Sequence, residues 1–286
     1  MSINEQPLVT VYIPTFNRLE LLQRAVESVC NQTYKNLEII VVDDCSTDGT
    51  QKYLAQLAKK DSRVRYFLKE KNSGACVSRN IAIENAKGEF ITGLDDDDYF
   101  MENRINIFVD NWVDNIAGLC SYSLVKKSSN NIKTNKRISL KNTIEAEDLL
   151  KANHIGNQIF TKSQYLKAIS GFDKNMQVWQ DLECWYRLLK EYGVVQRINK
   201  PLYVVDISHP HERISNKNIE KITNSYNFFV EKHELNFTKS QDLYTHILSY
   251  TELENDLKLY WRRFLNFKSF GNFFMFLKKL LKFRKL

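Results

Sequence analysis

The stretch FITGLDDDDY, residues 90–99, joins an apolar run to four consecutive aspartates. The apolar residues predict a buried strand, and the aspartate cluster, Asp95 to Asp98, follows directly at its end. Neighbouring carboxylates repel one another, and burying them without a partner is costly. A divalent cation such as Mn²⁺ or Mg²⁺ offsets that repulsion and commonly holds substrate phosphates in its remaining positions. The alternative for these four residues is a solvated acidic turn.

Strand and helix patterns alternate through the first part of the chain. Four runs of β-branched and apolar residues predict strands at 8–13, 37–42, 64–68 and 90–94. Helical patterns separate them, at 19–31, 46–59 and 75–86. This alternation predicts a doubly wound, mostly parallel α/β sheet of the Rossmann-like type. Ligands bind such sheets at the carboxyl ends of strands. Polar clusters follow three of these strands, at 15–18, 43–44 and 95–98, so we expect a ligand site there.

The second part of the chain has a less regular pattern. Helices are predicted at 101–115, 144–152, 163–169 and 180–192, and strands at 118–125, 194–197 and 202–205. The polar and basic segment 128–142 is predicted to be a loop near the site. From residue 216 onward the pattern is helical, which predicts a C-terminal helical extension.

The positive charge of this chain is concentrated near its C-terminus. The net charge is +7, but residues 257–286 hold nine Lys and Arg and no acidic residue, which leaves −2 for the remainder. This distribution argues against a nucleic-acid-binding core and for a local interaction with an anionic surface. Apolar residues from Trp261 to Leu281 recur at helical spacing, which predicts a basic amphipathic helix at a membrane interface. A helix packed on the catalytic domain is the alternative.

The remaining composition is that of a folded protein of a reducing compartment. The five cysteines are scattered and form no C-x-x-C pair, which indicates reduced thiols. No secretory leader is recognisable, and no apolar run reaches about 18 residues. We therefore expect a cytoplasmic protein, peripheral on the inner face of the cell membrane.

Four motifs together resemble family 2 glycosyltransferases of the GT-A fold. They are VYIPTFNR (11–18), EIIVVDDCSTDGT (38–50), Gly74 with SRN (78–80), and LDDDD (94–98). Further on, GFD (171–173) and QDLECWYRL (180–188) resemble acceptor-side motifs of the same family. The resemblance covers about residues 7–215. It implies an inverting, metal-dependent transfer of a sugar from a nucleotide diphosphate to an acceptor hydroxyl.

The resemblance implies nucleotide contacts at Pro14, Thr15, Phe16, Asn17, Arg18, Asp43, Asp44, Arg79, Asp95 and Asp96. Thr15 and Phe16 match the position where the family packs the base. Asp44, or Asp43, matches the base-recognising carboxylate, and a carboxylate that accepts from uracil N3–H selects UDP over cytosine nucleotides. Capping of the next helix is the alternative for these aspartates, and a salt bridge on a helix face is the alternative for Arg79.

Within the aspartate cluster, the family pattern implies that Asp95 lies near the ribose and that Asp97 binds Mn²⁺ or Mg²⁺. Spacing alone leaves Asp96 and Asp98 open as the working pair. His209 fits the family spacing better than His211 and is expected to complete the metal shell or touch the diphosphate. Arg213 is expected to meet the phosphates. The alternative for His209 or His211 is a surface histidine with no role in the site.

Asp181 matches the family's general base. Gln180 stands where the family usually has Glu. This replacement removes a negative charge from the acceptor side, so it concerns the orientation of the acceptor rather than the base. Trp179 and Trp185 are candidates for a wall on which a sugar stacks, although Trp185 on a helix is equally suited to the core. Helix capping is the alternative for Asp181.

The resemblance implies a hexosyltransferase that uses a UDP-sugar. With a C-terminal helix at the membrane, it further implies a lipid-linked (undecaprenyl-diphosphate) saccharide as acceptor in surface polysaccharide synthesis, such as O-antigen or capsule. The expected catalytic domain is 1–215, with a nucleotide half to about 115, and the helical region is 216–286. A metal-dependent nucleotidyltransferase is one alternative, although the segment after the first strand lacks the usual glycines. A non-catalytic, membrane-docked binding module is the other.

Overall fold

The computed structural model describes residues 6–128, 131–134, 141–209, 219–244 and 246–247, with Trp261, Leu277 and Leu280. The predictions for Arg213, for His211 and for the amphipathic C-terminal helix therefore lie outside the described residues.

Strands and helices alternate in the first part of the chain as the sequence predicts. The strands are β1 Val9–Thr15, β2 Leu37–Asp43, β3 Val64–Leu68, β4 Phe90–Gly93, β5 Tyr99–Phe100, β6 Gly118–Ser128, β7 Asn131–Thr134, β8 Thr143–Ile144, β9 Phe160–Lys162 and β10 Val195–Asp206. The helices are α1 Leu19–Cys30, α2 Thr50–Lys60, α3 Ala75–Asn85, α4 Arg104–Asp110, α5 Ala146–Lys151, α6 Ser163–Ala168, α7 Gln180–Tyr192, α8 Ile219–Lys232 and α9 Phe237–Tyr244.

One mixed sheet organises the described strands. Their order is β3-β2-β1-β4-β9-β6-β10-β5, with β7 beside β6 and β8 beside β10. The β1–β2, β2–β3, β1–β4 and β6–β10 pairs are parallel, whereas β9 runs antiparallel to both β4 and β6. β1 and β2 are buried along their whole length, which fits central strands covered on both faces. The predicted α/β fold with a mostly parallel sheet is confirmed.

Several predicted elements of the second part are wrong in extent. The helix predicted at 101–115 is the shorter α4, which begins at Arg104 because the backbone N–H of Met101 donates to the Leu202 carbonyl of β10. Part of the loop predicted at 128–142 is β7, which pairs antiparallel with β6. The two strands predicted at 194–197 and 202–205 are one strand, β10, whose register is irregular around Pro201.

The chain divides into two compact units. One comprises Met1–Leu149 and Asn153–His211, and the other comprises Leu150–Ala152 and Glu212–Leu286. In the second unit, Tyr226 packs edge-on against Tyr244 and donates a 3.1 Å hydrogen bond to the carbonyl of Ser240, which joins α8 to α9. The predicted domain boundary at residue 215 remains a prediction. Within the described ranges, none of the helices combines the length and apolar character needed to cross a bilayer.

A buried ion pair ties α7 to the turn before it. The Glu183 side chain is 0% exposed, and its two oxygens accept from Arg187 Nε at 2.8 Å and Nη2 at 2.9 Å. Arg187 also donates to the carbonyls of Ile169 and Gly171. The pair therefore holds the GFD turn (171–173) against the helix that carries Asp181.

Replacing Glu183 by alanine is expected to destabilise the fold strongly. The change leaves the largely buried Arg187 guanidinium without its carboxylate, which typically costs about 3–5 kcal/mol. Urea unfolding monitored by circular dichroism measures the loss. Glu191→Ala, an exposed position on the same helix, is the matched control and should change the free energy of unfolding by less than about 0.5 kcal/mol. A Glu183→Ala loss no larger than the control would contradict this role.

Candidate active site

The ends of β1 and β4 meet because these strands are parallel neighbours. Thr15 Oγ1 donates to Asp96 Oδ2 at 2.8 Å. Arg18 Nη1 lies 3.1 Å from Asp96 Oδ1 and 3.2 Å from Asp97 Oδ2, so one guanidinium bridges two members of the aspartate cluster. Burial raises the pKa of Asp96 to about 6 against the opposing effect of Arg18, and Asp97 adds to the rise. The end of the first strand and the aspartate cluster are therefore in direct contact, the arrangement that strand-end convergence predicts.

The two outer aspartates of the cluster are held by many donors. Asp95 accepts from Arg79 Nη2 at 3.0 Å, Gln158 Nε2 at 3.0 Å and Asn157 Nδ2 at 2.7 Å. Asp98 accepts from the Tyr203 hydroxyl and from the backbone N–H of Asp206, each at 2.9 Å. Burial raises the pKa of Asp98, and the nearby charges of Asp97 and Asp95 raise it further.

Asp43 lies at the end of β2 and Asp44 follows it, and their carboxylates bind different groups. The Asp43 carboxylate accepts from the backbone N–H of Ser46 at 3.2 Å and so closes the turn after β2. Asp44 accepts from the backbone N–H groups of Ser73 at 2.9 Å and Gly74 at 2.8 Å, and it pairs with Lys69. Asp44 therefore anchors the segment before α3 rather than capping α2. Three of its roughly four acceptor positions are used, which leaves room for one further N–H.

The segment after β1 joins the turn after β2. Asn17 has φ +50° and accepts through Oδ1 from the backbone N–H of Thr47 at 2.7 Å, while its own N–H donates to Ser46 Oγ at 2.8 Å. The neighbouring Phe16 is 41% exposed, so its ring is accessible beside this junction. Pro14 lies within β1 opposite Val42.

The start of α7 brings the acceptor-side candidates to the cluster. Arg79 Nη1 donates to Gln180 Oε1 at 3.2 Å while its Nη2 holds Asp95, so one side chain touches both halves of the candidate site. Asp181, the next residue, accepts from Asn153 Nδ2 at 2.9 Å. Burial raises the pKa of Asp181, partly opposed by the Leu182 backbone N–H, Arg79 and Asn153. An aspartate with a raised pKa is better suited to accept a proton.

Comparison with known proteins identifies the family. A sequence profile described as glycosyl transferase family 2 matches residues 10–171. The chain belongs to this family. It is 32% identical to a putative colanic acid biosynthesis glycosyl transferase of Escherichia coli over 94% of this chain and 96% of the relative. It is 35% identical to a GalNAc(5)-diNAcBac-PP-undecaprenol beta-1,3-glucosyltransferase of Campylobacter jejuni, over 55% of this chain and 52% of that one.

Solved structures share the fold. Staphylococcus aureus TarS 1-349 in complex with UDP-GlcNAc superposes with a TM-score of 0.65 at 19% identity, covering 91% of this chain and 73% of the TarS 1-349 chain. A mannosyltransferase from Pyrobaculum calidifontis, in complex with GDP-Man and Mn²⁺, gives a TM-score of 0.60 at 16% identity, covering 85% and 71%. The GT-A fold and the family 2 assignment predicted from the motifs are therefore confirmed.

Asp97 and His209, the two residues expected to bind a metal ion, lie next to each other. His209 Nε2 lies 3.5 Å from Asp97 Oδ2, and the Asp97 side chain is 11% exposed. Two ligands of one six-coordinate cation at about 2.1 Å lie about 3 Å apart, so these atoms fit a shared ion after a small shift, provided that Arg18 Nη1, which lies 3.2 Å from the same Asp97 oxygen, moves aside. Within the described residues, no three His, Cys, Asp or Glu side chains are grouped to hold a metal ion by themselves. A cation here would therefore take further ligands from phosphate and water.

The two tryptophans differ in position. Trp185 is 0% exposed, donates from Nε1 to the Gly156 carbonyl at 3.0 Å and packs edge-on against Phe172. A ring that no ligand can reach does not stack on a sugar, so Trp185 belongs to the core, the alternative that the sequence left open. Trp179 is partly exposed, has φ +61° and directly precedes α7, so it remains a candidate on the acceptor side.

Four further side chains contact the carboxylates of the candidate site. Asn153, Asn157, Gln158 and Tyr203 contact Asp181, Asp95 or Asp98, yet they belong to no quoted motif. No local pattern could have found them, because β9 and β10 bring them to the site through long-range pairing.

Proposed function

We propose that this glycosyltransferase is inverting and metal-dependent, and that it transfers a sugar, a hexose, from a UDP-sugar to a hydroxyl of a lipid-linked saccharide. One observation carries the proposal: Arg79 binds both Asp95 of the aspartate cluster and Gln180, the neighbour of Asp181. A half-buried carboxylate suited to take a proton thus lies beside carboxylates suited to a nucleotide and its cation.

The donor is assigned to the edge formed by β1, β2 and β4. Phe16 offers an exposed ring for the base, and Asp44 keeps one acceptor position for a uracil N–H. Asp95 is assigned to the ribose, and Arg18, which binds Asp96 and Asp97, is assigned to the diphosphate. Asp97 and His209 would hold Mn²⁺ or Mg²⁺, which when bound neutralises charge on the diphosphate as a Lewis acid.

The transfer itself is assigned to Asp181. Its carboxylate takes the proton of the acceptor hydroxyl as that oxygen attacks C1 of the sugar. The C1–O bond to the diphosphate breaks on the opposite face, the bonding electrons leave with UDP, and the configuration at C1 inverts. Arg79 and Asn153 both favour the ionised form of Asp181, and the hydrogen bond from Asn153 also orients its carboxylate.

The acceptor is assigned from the chemistry that the relatives' names state. One relative is named for colanic acid biosynthesis, and another for glucosyl transfer to a saccharide on diphospho-undecaprenol. We propose a related acceptor, a diphosphate-linked lipid saccharide in surface polysaccharide synthesis, reached from the cytoplasmic face of the membrane. The basic segment 257–286 is proposed to bind the anionic membrane surface.

Turnover of nucleotide sugars tests the proposal. UDP-sugars are screened against GlcNAc- and GalNAc-diphosphate-lipid analogues, with UDP release as the signal. Release that requires the acceptor, stops with EDTA and returns with Mn²⁺ is expected. Pyrophosphate release from a nucleoside triphosphate would instead indicate a nucleotidyltransferase. No UDP release from any donor and acceptor pair would favour a non-catalytic binding module.

A further inference from the structure

Residues 153–158 form a loop directly before β9. The antiparallel pairing of β9 with β4 places Phe160 opposite Thr92, so the loop reaches the end of β4, where the aspartate cluster begins. The loop spans six residues, yet its polar side chains contact both Asp181 and the cluster.

Asn157 forms the end of the loop that contacts the cluster. Its Nδ2 lies 2.7 Å from Asp95 Oδ2, 3.2 Å from Asp98 Oδ2 and 3.2 Å from the Tyr203 hydroxyl. The two N–H groups therefore face two carboxylates, and the flipped amide would present an oxygen to carboxylate oxygens. Asn157 thus fixes the separation of two groups that would otherwise repel each other.

Gln158 reinforces the same end of the loop. Its Nε2 donates to Asp95 Oδ1 at 3.0 Å, and its Oε1 accepts from the Tyr12 hydroxyl at 3.2 Å, which sets the direction of the amide. Gly93 makes this approach possible, because a Cβ there would lie 1.9 Å from Gln158 Oε1.

Asn153 forms the other end. Its Nδ2 donates to Asp181 Oδ2 at 2.9 Å, and its Oδ1 accepts from the backbone N–H of Gly156 at 2.9 Å. Gly156 has φ +91°, a region that favours glycine, and its carbonyl accepts from the buried Trp185. The middle of the loop is therefore fixed to the core while its two ends hold carboxylates.

We propose that residues 153–158 are a positioning loop that sets the distance between the base Asp181 and the donor-side carboxylates Asp95 and Asp98. This inference rests on the proposed function. Transfer by a single displacement needs the base and the leaving group on opposite faces of the sugar at a fixed separation. A single loop anchored to the core fixes the distance from Asp181 to Asp95 and Asp98 more tightly than two independent loops would.

Substitutions at the two ends of the loop are expected to change different quantities, kcat at one end and the Kd for UDP at the other. Asn153→Ala should lower kcat about tenfold to a hundredfold, the effect of losing one hydrogen bond to a charged group, with the Kd for UDP and Mn²⁺ unchanged within about a factor of two. Asn157→Ala should weaken that Kd by about tenfold or more. Steady-state kinetics give kcat, and calorimetric titration of UDP in the presence of Mn²⁺ gives Kd.

Asn111→Ala is the matched control, because that exposed amide donates to the Ile107 carbonyl on α4. Thermal unfolding of every variant shows whether the fold is kept, and Asn153→Ser and Asn157→Ser replace any alanine variant that does not fold. The split between kcat and Kd supports the loop. Equal changes in both quantities for both variants, or no change beyond the control, would overturn it. An inactive wild type would instead refute the proposed function.

Discussion

Asp181→Asn is expected to lower kcat by about 10²–10⁴-fold, the usual contribution of a positioned general base. The amide keeps the shape of the carboxylate but cannot take the acceptor proton. The Kd for UDP should stay near the wild-type value, because Asp181 contacts Asn153 rather than the cluster. Steady-state kinetics of UDP release, with calorimetric UDP binding, measure the two quantities.

The pH dependence gives a second readout of the same role. Burial raises the pKa of Asp181 above its ordinary value of 3.8, so the ionised base is lost at a higher pH than for an exposed aspartate. Wild-type kcat should therefore fall as pH falls through this raised pKa. Asp181→Asn should lack the step assigned to this group. Undiminished transfer by Asp181→Asn would show that another group takes the proton.

Asp97→Asn is expected to lower kcat/KM by about 10²–10³-fold, the size of effect seen when charge stabilisation at a reacting centre is removed. The neutral amide is a poorer cation ligand and leaves the diphosphate charge less compensated. Binding of UDP should also lose its enhancement by Mn²⁺, which calorimetry detects without turnover. Arg18 should still bind Asp96, so the fold is expected to remain intact.

Asp114→Asn is the matched control for Asp97→Asn, since it removes the same charge from a side chain that is 82% exposed. It should leave kcat/KM and UDP binding unchanged. Mn²⁺-enhanced UDP binding that survives in Asp97→Asn would move the metal assignment to another member of the cluster.

The first half of the fold could be predicted because its strands are long and its helices separate them regularly. β1 and β2 each consist of seven buried residues, which leave a clear apolar run. β5 and β8 contain only two residues each, and β9 only three. Such short strands are stabilised by pairing with neighbouring strands, so the local sequence pattern does not predict them.

The candidate site likewise contains residues that the sequence predicts and residues that it does not. Thr15, Asp44 and the aspartate cluster follow strong strands, so the sheet edge that they share could be predicted. Asn153 and Asn157 precede a three-residue strand, and they reach the site only because β9 inserts antiparallel beside β4. The buried position of Trp185 also depends on tertiary packing, since its spacing on α7 suits a wall or a core equally.

The stereochemistry of transfer tests the central claim most directly. An α-configured UDP-sugar and a diphosphate-lipid acceptor that support turnover are incubated with the wild-type protein, and the anomeric configuration of the product is read by proton NMR. Single displacement with Asp181 as base predicts a β-linked product. An α-linked product would contradict the account, because a single displacement cannot retain the configuration at C1.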